Sequence, residues 1–77
     1  MFNIVIEDQF GYETQRVVDG RKNAVIMAGN AIVSGYPDVW VSDITTGEDV
    51  LCHVHNGYAI RPDMGFTYEA MQYIEQL

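Results

Sequence analysis

The side chains with the most reactive chemistry lie together near the middle of the sequence: Cys52, His53 and His55. Histidines two positions apart on a strand share a face, which is the arrangement that a His-x-His metal-ligand pair requires. Zinc needs a third protein ligand, and Asp38 on a neighbouring strand is the nearest candidate, since Cys52 points the other way. We predict an exposed histidine pair that holds no metal and makes partner binding mildly pH-sensitive.

Catalysis by the cysteine would require a base within hydrogen-bond reach and a lowered thiol pKa. His53 faces the opposite side of the predicted strand, so we expect Cys52 to be a buried, inert core residue. The acidic pairs 7–8 and 48–49 lie at strand ends, where carboxylates are usually solvated, and the seven glycines are scattered and form no phosphate-binding loop. The sequence therefore predicts a protein that is not an enzyme and needs no cofactor.

Length and composition predict a single domain spanning residues 1–77, because 48% of the residues are apolar and the chain has room for one core. The lone cysteine fits a reducing compartment. The longest apolar stretch, Ala24 to Val33, is about half of the ~20 residues that a bilayer span requires. No basic n-region of the kind that begins a signal peptide precedes an apolar segment. We expect a cytoplasmic protein of a bacterium or phage-infected host, with no membrane association.

Charge is the most unusual bulk property, since eleven carboxylates face four basic residues for a formal net charge of −7. The four basic residues are Arg16, Arg21, Lys22 and Arg61. Direct nucleic-acid binding is not expected, because affinity for phosphates comes from Lys and Arg. A basic protein surface is the electrostatically favoured partner. The competing interpretation is that the charge serves solubility alone.

In the first half of the chain, alternation predicts a hairpin of two strands, Phe2 to Glu7 and Tyr12 to Val18. Helical spacing follows from about residue 21 to 34. Either Asp19 or Asn23 could be the N-cap, and Asn23 is preferred because cations in a first turn oppose the helix dipole. Gly35 is predicted to end the helix with a positive φ. The predicted buried face is Ala24, Val25, Ala28, Ala31 and Ile32, and Gly29 would allow another backbone to approach closely.

In the second half, strands are predicted over 38–45, 49–55 and 58–61, joined by hairpin turns at Thr45-Thr46-Gly47 and Asn56-Gly57. Thr67 is a favourable N-cap for a C-terminal helix, with Phe66 and Met71 forming a hydrophobic staple around it. The apolar stripe of that helix is predicted to be Ala70, Met71, Ile74 and Leu77. The order β-β-α-β-β-β-α predicts an α+β fold, an antiparallel sheet with both helices packed on one face.

Helices on one face leave the other face of the sheet free for a partner. We prefer the register in which Val39, Val41, Val50, Cys52 and Val54 point inwards and Trp40, Ile44, Leu51, His53 and His55 point outwards; a shift of one residue would exchange the sets. Five tyrosines and Trp40 exceed what a small core buries, and such side chains are enriched in interfaces. The predicted partner-binding residues are Asp38, Trp40, Asp43, Glu48, Asp49, His53 and His55.

The outline as a whole, including the hairpin Asp43-Ile44-Thr45-Thr46-Gly47-Glu48, resembles small acidic phage-encoded inhibitors of the anti-CRISPR type. The resemblance concerns size, charge and α+β character, and no diagnostic motif supports it. It implies a DNA mimic that blocks a CRISPR effector complex or another nucleic-acid-binding protein by placing carboxylates where phosphates would lie.

Two other functions remain open. The first is a structural or assembly module that forms homodimers or larger homo-oligomers through the apolar helix 23–34, which is more apolar than a surface helix requires. The second is a metal- or ligand-binding module centred on His53 and His55.

Overall fold

The computed structural model describes residues 1–54, 57–58 and 64–77. Four strands of six residues, a two-residue strand and two helices follow one another in the predicted order. Their bounds are β1 Phe2–Glu7, β2 Glu13–Val18, α1 Arg21–Val33, β3 Asp38–Asp43, β4 Asp49–Val54, β5 Gly57–Tyr58 and α2 Met64–Glu75. Within the described chain, neither helix is long and apolar enough to cross a membrane.

The strands form one antiparallel sheet in the order β2-β1-β3-β4-β5. Helix α1 connects β2 to β3, which flank β1 on its two sides, so the connection crosses over β1. Both helices pack on the same face of the sheet, α1 against β1 and β3 and α2 against β4. The predicted α+β fold is therefore confirmed.

The core lies between this helix layer and the inward side chains of the three central strands. Ile4, Val39, Val41 and Leu51 are fully buried beneath the helices. They are joined by Ala24, Val25, Ala28 and Ala31 of α1 and by Phe66 and Ala70 of α2. The predicted buried face of α1 is thus confirmed, with Ile32 partly buried beside it.

Helix α1 begins at Arg21, two residues before the predicted cap. Gly20 occupies the N-cap position with φ 92°, and no side chain caps the helix. The Asn23 side chain instead donates to the Asp19 carbonyl oxygen over 3.0 Å. The early start places the Arg21 guanidinium 2.9 Å from the Glu69 carboxylate and 5.3 Å from the centroid of the Phe66 ring. These contacts with α2 offset the unfavourable position of the cation in the helix dipole.

The end of α1 is as predicted. Gly35 has φ 94°, its N–H donates to the Ile32 carbonyl over 3.1 Å, and the Tyr36 N–H donates to Ala31 over 3.3 Å. This is a Schellman arrangement, in which a residue of positive φ turns the chain away and satisfies the last carbonyls of the helix.

The preferred register of β4 is wrong. Trp40 is paired with Cys52 and Val41 with Leu51, and the pairing shifts between Val41 and Ser42 because Val50 forms an irregularity on β4. Directly paired residues share a face, so Leu51 and His53 point towards the helices, whereas Cys52 and, by alternation, Val54 point away with Trp40. The inward positions of Val39, Val41 and Val50 are confirmed, since all three are buried in the core.

Helix α2 begins before the predicted cap. It starts at Met64, so Thr67 lies inside the helix and is buried, and Phe66 is a core residue instead of one side of a staple. The Phe66 ring lies 5.7 Å from the Phe2 ring, centroid to centroid. Burying Phe66 rotates the helix so that Met71 and Leu77, predicted to be inside, are largely exposed. The turn predicted at Asn56 and the strand predicted through residue 61 extend outside the described residues.

Candidate functional site

The side of the sheet turned away from the helices is the candidate interaction surface, and we call it the open face. Its members follow from the strand pairings and from the alternation of side chains along each strand. They are Asn3, Val5 and Glu7 on β1; Glu13, Gln15 and Val17 on β2; Asp38, Trp40 and Ser42 on β3; and Asp49, Cys52 and Val54 on β4.

Trp40 occupies the middle of the open face. It is paired with Val5 of β1 on one side and with Cys52 of β4 on the other. Its side chain is 37% exposed, although two strands flank it on each side in the sheet. The outward position predicted for Trp40 is therefore confirmed. An exposed indole among apolar neighbours is the kind of side chain that anchors protein interfaces.

Three carboxylates form a row across one end of the open face. Glu7 is paired directly with Glu13 on one neighbouring strand and with Asp38 on the other. Like charges in directly opposite positions destabilise an antiparallel pair, typically by about 0.2–1 kcal/mol. The row, which we call the acidic row, therefore concentrates negative potential beside Trp40 at some expense in stability.

The remaining predicted acidic residues lie towards the other end of the sheet. Asp49 is on the open face and accepts a hydrogen bond from the Ser42 hydroxyl over 3.0 Å. Asp43 has a structural role, because its carboxylate accepts a hydrogen bond from the Thr45 N–H over 2.9 Å within the β3–β4 turn. That turn also contains Gly47 with φ 75°, as predicted, and the exposed Glu48. The structure thus places Asp38, Trp40 and Asp49 on one face and Asp43 and Glu48 at its rim.

Neither histidine is among the described residues of the open face. His53 points to the helix side and is only partly exposed, and His55 lies outside the described residues. Burial lowers the pKa of His53 from its usual 6.5, and the nearby Asp38 carboxylate partly opposes this by raising it. Among the described side chains, no three of the types His, Cys, Asp and Glu come close enough to hold a metal ion.

Cys52 is buried, as predicted, but on the open-face side of the sheet. Burial raises the pKa of the thiol above 9.0, and the negative charge of Asp49 raises it further. Both effects disfavour the thiolate, which is the reactive form. Cys52 therefore has the character of a small apolar residue, paired with Trp40 across β3 and β4.

Sequence reasoning did not single out Val5, Glu7, Glu13 and Val17 as parts of the surface. Their outward direction follows from the alternation in β1, where Phe2, Ile4 and Ile6 point inwards. What the alternation cannot reveal is that β3 inserts beside β1, which brings Glu7 next to Asp38 and Val5 next to Trp40.

The apolar helix proposed for self-association is mostly consumed within the molecule. Ala24, Val25, Ala28 and Ala31 are buried in the core. Gly29 faces the Tyr73 ring of α2, whose hydroxyl donates to the Asn30 side-chain oxygen over 2.9 Å. The close approach predicted at Gly29 is therefore made by a side chain and not by a backbone. On α1 Val33 is the one large apolar side chain that is more than half exposed, which leaves little apolar surface for a second copy.

Comparison with known proteins identifies no relative on which a function could be based: no family model, no curated protein and no solved structure matches the chain.

Proposed function

We propose that this protein is a non-enzymatic binding module whose open face, with Trp40 at its centre and the acidic row beside it, docks on a basic surface of another protein. The observation that carries the proposal is the exposure of Trp40 on a sheet face that neither helix covers. A tryptophan flanked by apolar neighbours supplies the buried centre that tight interfaces share, and polar groups around it form the rim.

The charge distribution on this face supports a basic partner. Among the residues of this face that the structure describes there is no Lys or Arg, whereas Glu7, Glu13, Asp38 and Asp49 belong to it. An acidic surface speeds the encounter with a basic one and repels nucleic acid. Basic surfaces of this kind are typical of proteins that handle DNA or RNA.

The resemblance to small phage-encoded inhibitors extends the proposal to a target class. We propose as target a nucleic-acid-binding protein, such as a CRISPR effector complex, whose phosphate-binding surface the acidic row would occupy. The protein would then act in the cytoplasm of a bacterial or phage-infected cell, and blocking would require no reaction.

The proposal is tested by capture from lysates of phage-infected or CRISPR-bearing bacteria on the immobilised protein. Trp40→Thr should lose the captured species, because threonine suits a strand but cannot fill an aromatic pocket. Tyr68→Thr is the matched control, since Tyr68 is 62% exposed on α2 and away from the open face. With the purified target, emission of the single tryptophan should shift to shorter wavelength as Trp40 leaves water.

Charge is tested separately from the aromatic contact. Glu7→Lys should weaken binding, while the same change at Glu75 on α2 should not, and retention should fall as NaCl rises from about 50 to about 500 mM. Nucleic acid should compete with the protein for the target. The proposal fails if Trp40→Thr binds as wild type does, or if binding is unaffected by salt and by Glu7→Lys.

A further inference from the structure

One edge of the sheet is formed by a six-residue strand that has no further strand beside it in the described part of the chain. β2 is the first strand in the sheet order and pairs only with β1, and all its residues except Val18 are exposed. The opposite edge is β5, which has two residues. A long, straight edge strand presents free backbone donors and acceptors to any second strand of matching register.

The hairpin fixes which backbone groups of β2 are free. The Asp8 N–H donates to the Tyr12 carbonyl over 3.0 Å, which makes that pair hydrogen-bonded. Hydrogen-bonded pairs alternate in an antiparallel ladder, so Thr14 and the alternate residues after it bond to β1. The N–H and C=O groups that point outwards therefore belong to Glu13, Gln15 and Val17.

A groove runs beside this edge on the helix side. Helix α1 packs over β1 and β3, which leaves the helix-facing side of β2 exposed except at Val18, whose side chain packs against the core. The groove is lined by apolar and polar residues of β2 and α1 and of the link between them: Val17, Val18, Asp19, Asn23, Ile26, Met27 and Asn30. Its size and lining suit an aromatic side chain with a polar end.

Tyr12 is an aromatic side chain on the same edge that packs against little. It is 74% exposed, and alternation along β2 puts it on the helix-facing side, together with Thr14. An antiparallel pairing of two β2 strands, centred on Gln15, would place Tyr12 opposite Val18 of the second copy. Val18 lines the groove, so each Tyr12 would meet the groove of the other copy.

The same pairing satisfies the free backbone groups. Glu13 lies opposite Val17 of the second copy, and Gln15 lies opposite Gln15. The outward-facing N–H and C=O groups of each strand therefore meet the outward-facing groups of the other. Arg16 lies opposite Thr14 of the second copy. Shifting this pairing by two residues in one direction would also pair the outward-facing groups, but it would place Arg16 directly opposite Arg16 of the second copy. The repulsion between the two like charges disfavours that register.

Local charge favours this edge for a contact between two acidic molecules. Arg16, Arg21 and Lys22 are three of the four basic residues, and between positions 13 and 23 they face two carboxylates, Glu13 and Asp19. Repulsion between two chains of net charge −7 is therefore reduced where β2 and the start of α1 are apposed.

We propose that two copies of this chain associate by antiparallel pairing of their β2 strands about Gln15, with Tyr12 of each copy seated in the groove between β2 and α1 of the other. The dimer extends the sheet across the two-fold axis and places both open faces on one continuous surface. The proposal does not depend on the partner proposed above.

Light scattering during size-exclusion chromatography tests the association. At protein concentrations up to about 1 mM the wild type should reach twice the monomer mass of 8.7 kDa. Gln15→Pro should weaken the affinity of dimerisation at least tenfold, because proline lacks the N–H that points away from β1. Gln15→Thr, which keeps that N–H, should dimerise, and Tyr12→Ser should weaken the dimer while leaving the circular dichroism spectrum unchanged.

Cross-linking tests the register. Gln15→Cys should form an intermolecular disulfide under mild oxidation, because paired Cα atoms lie about 5.5 Å apart, within reach of a disulfide. Val17→Cys should not form one, because the two copies of position 17 lie several residues apart along the paired strands. The wild type, whose single Cys52 is buried, is the negative control. A wild-type monomer at the highest concentration overturns the proposal, as does a Gln15→Pro dimer or equal cross-linking through Val17→Cys.

Discussion

At the scale of single residues, His53 links the register of β4 to the pH dependence of stability. Its pKa is lowered by burial on the helix side, so the unfolded chain takes up the proton at higher pH than the folded one does. Between the ordinary value of 6.5 and the lower folded value, the unfolded state binds more protons. The free energy of unfolding should be at its full value above this window and fall as the pH falls through it.

The measurement is a series of urea unfolding curves between about pH 7.5 and 5, above the range where most carboxylates titrate. His53→Gln should remove part of the loss of stability in this range. His55→Gln removes the other imidazole of the chain and separates its contribution. A His53→Gln variant with the same pH dependence as the wild type would show that burial of His53 has no consequence for stability.

The residues of the candidate site show where reasoning from sequence succeeds. Val39, Trp40 and Val41 are placed correctly, because alternation in β3 separates the two valines from Trp40 and the preferred choice puts the valines inwards, although alternation alone does not decide between the two faces. His53 is misplaced, because the irregularity at Val50 shifts β4 by one residue relative to β3. Such an irregularity depends on how two strands fit together, and no residue type in β4 announces it.

At the scale of elements, the contact between the two helices depends on the missing side chain of Gly29. A Cβ atom at this position would lie 2.5 Å from Cδ1 of Tyr73. Gly29→Ala gains about 1 kcal/mol in helix propensity but forces the Tyr73 ring or the helix to shift, which costs about 1–3 kcal/mol. We expect a net loss of about 1 kcal/mol in the free energy of unfolding, measured by urea denaturation.

A double-mutant cycle separates the two effects. In a Tyr73→Leu background, the smaller and more flexible side chain can yield, so Gly29→Ala should become neutral or stabilising. If Gly29→Ala stabilises the wild type as well, the Tyr73 ring has free room to move and the proposed close packing is not a constraint.

The beginnings of the helices were harder to predict than their ends. Gly35 ends α1 through backbone geometry that its positive φ determines locally. The start of α1 at Arg21 depends on Glu69 and Phe66 of α2, which are remote in sequence. Similarly, α2 starts before Thr67 because Phe66 is needed in the core against Phe2. Local propensity for a cap is weaker than these tertiary contacts.

At the scale of the whole molecule, the charge is unevenly distributed and poorly compensated. Three of the four basic residues lie between positions 16 and 22, whereas the described part of the open face holds the acidic row and no cation. The bridge between Arg21 and Glu69 is half-exposed, so it contributes little. Repulsion should therefore outweigh attraction in the electrostatic part of the stability.

Salt should accordingly stabilise the fold. We expect the free energy of unfolding in urea to rise by about 1 kcal/mol between about 20 and 300 mM NaCl, because ions screen the carboxylates from one another. Glu7→Gln should raise it by about 0.2–1 kcal/mol at low salt and reduce its dependence on salt, since Glu7 stands between Glu13 and Asp38. Glu48→Gln, which removes the same charge from an exposed turn, should do so less. A stability that falls with added salt would mean that attractive pairs dominate and that the acidic row is neutralised within the molecule.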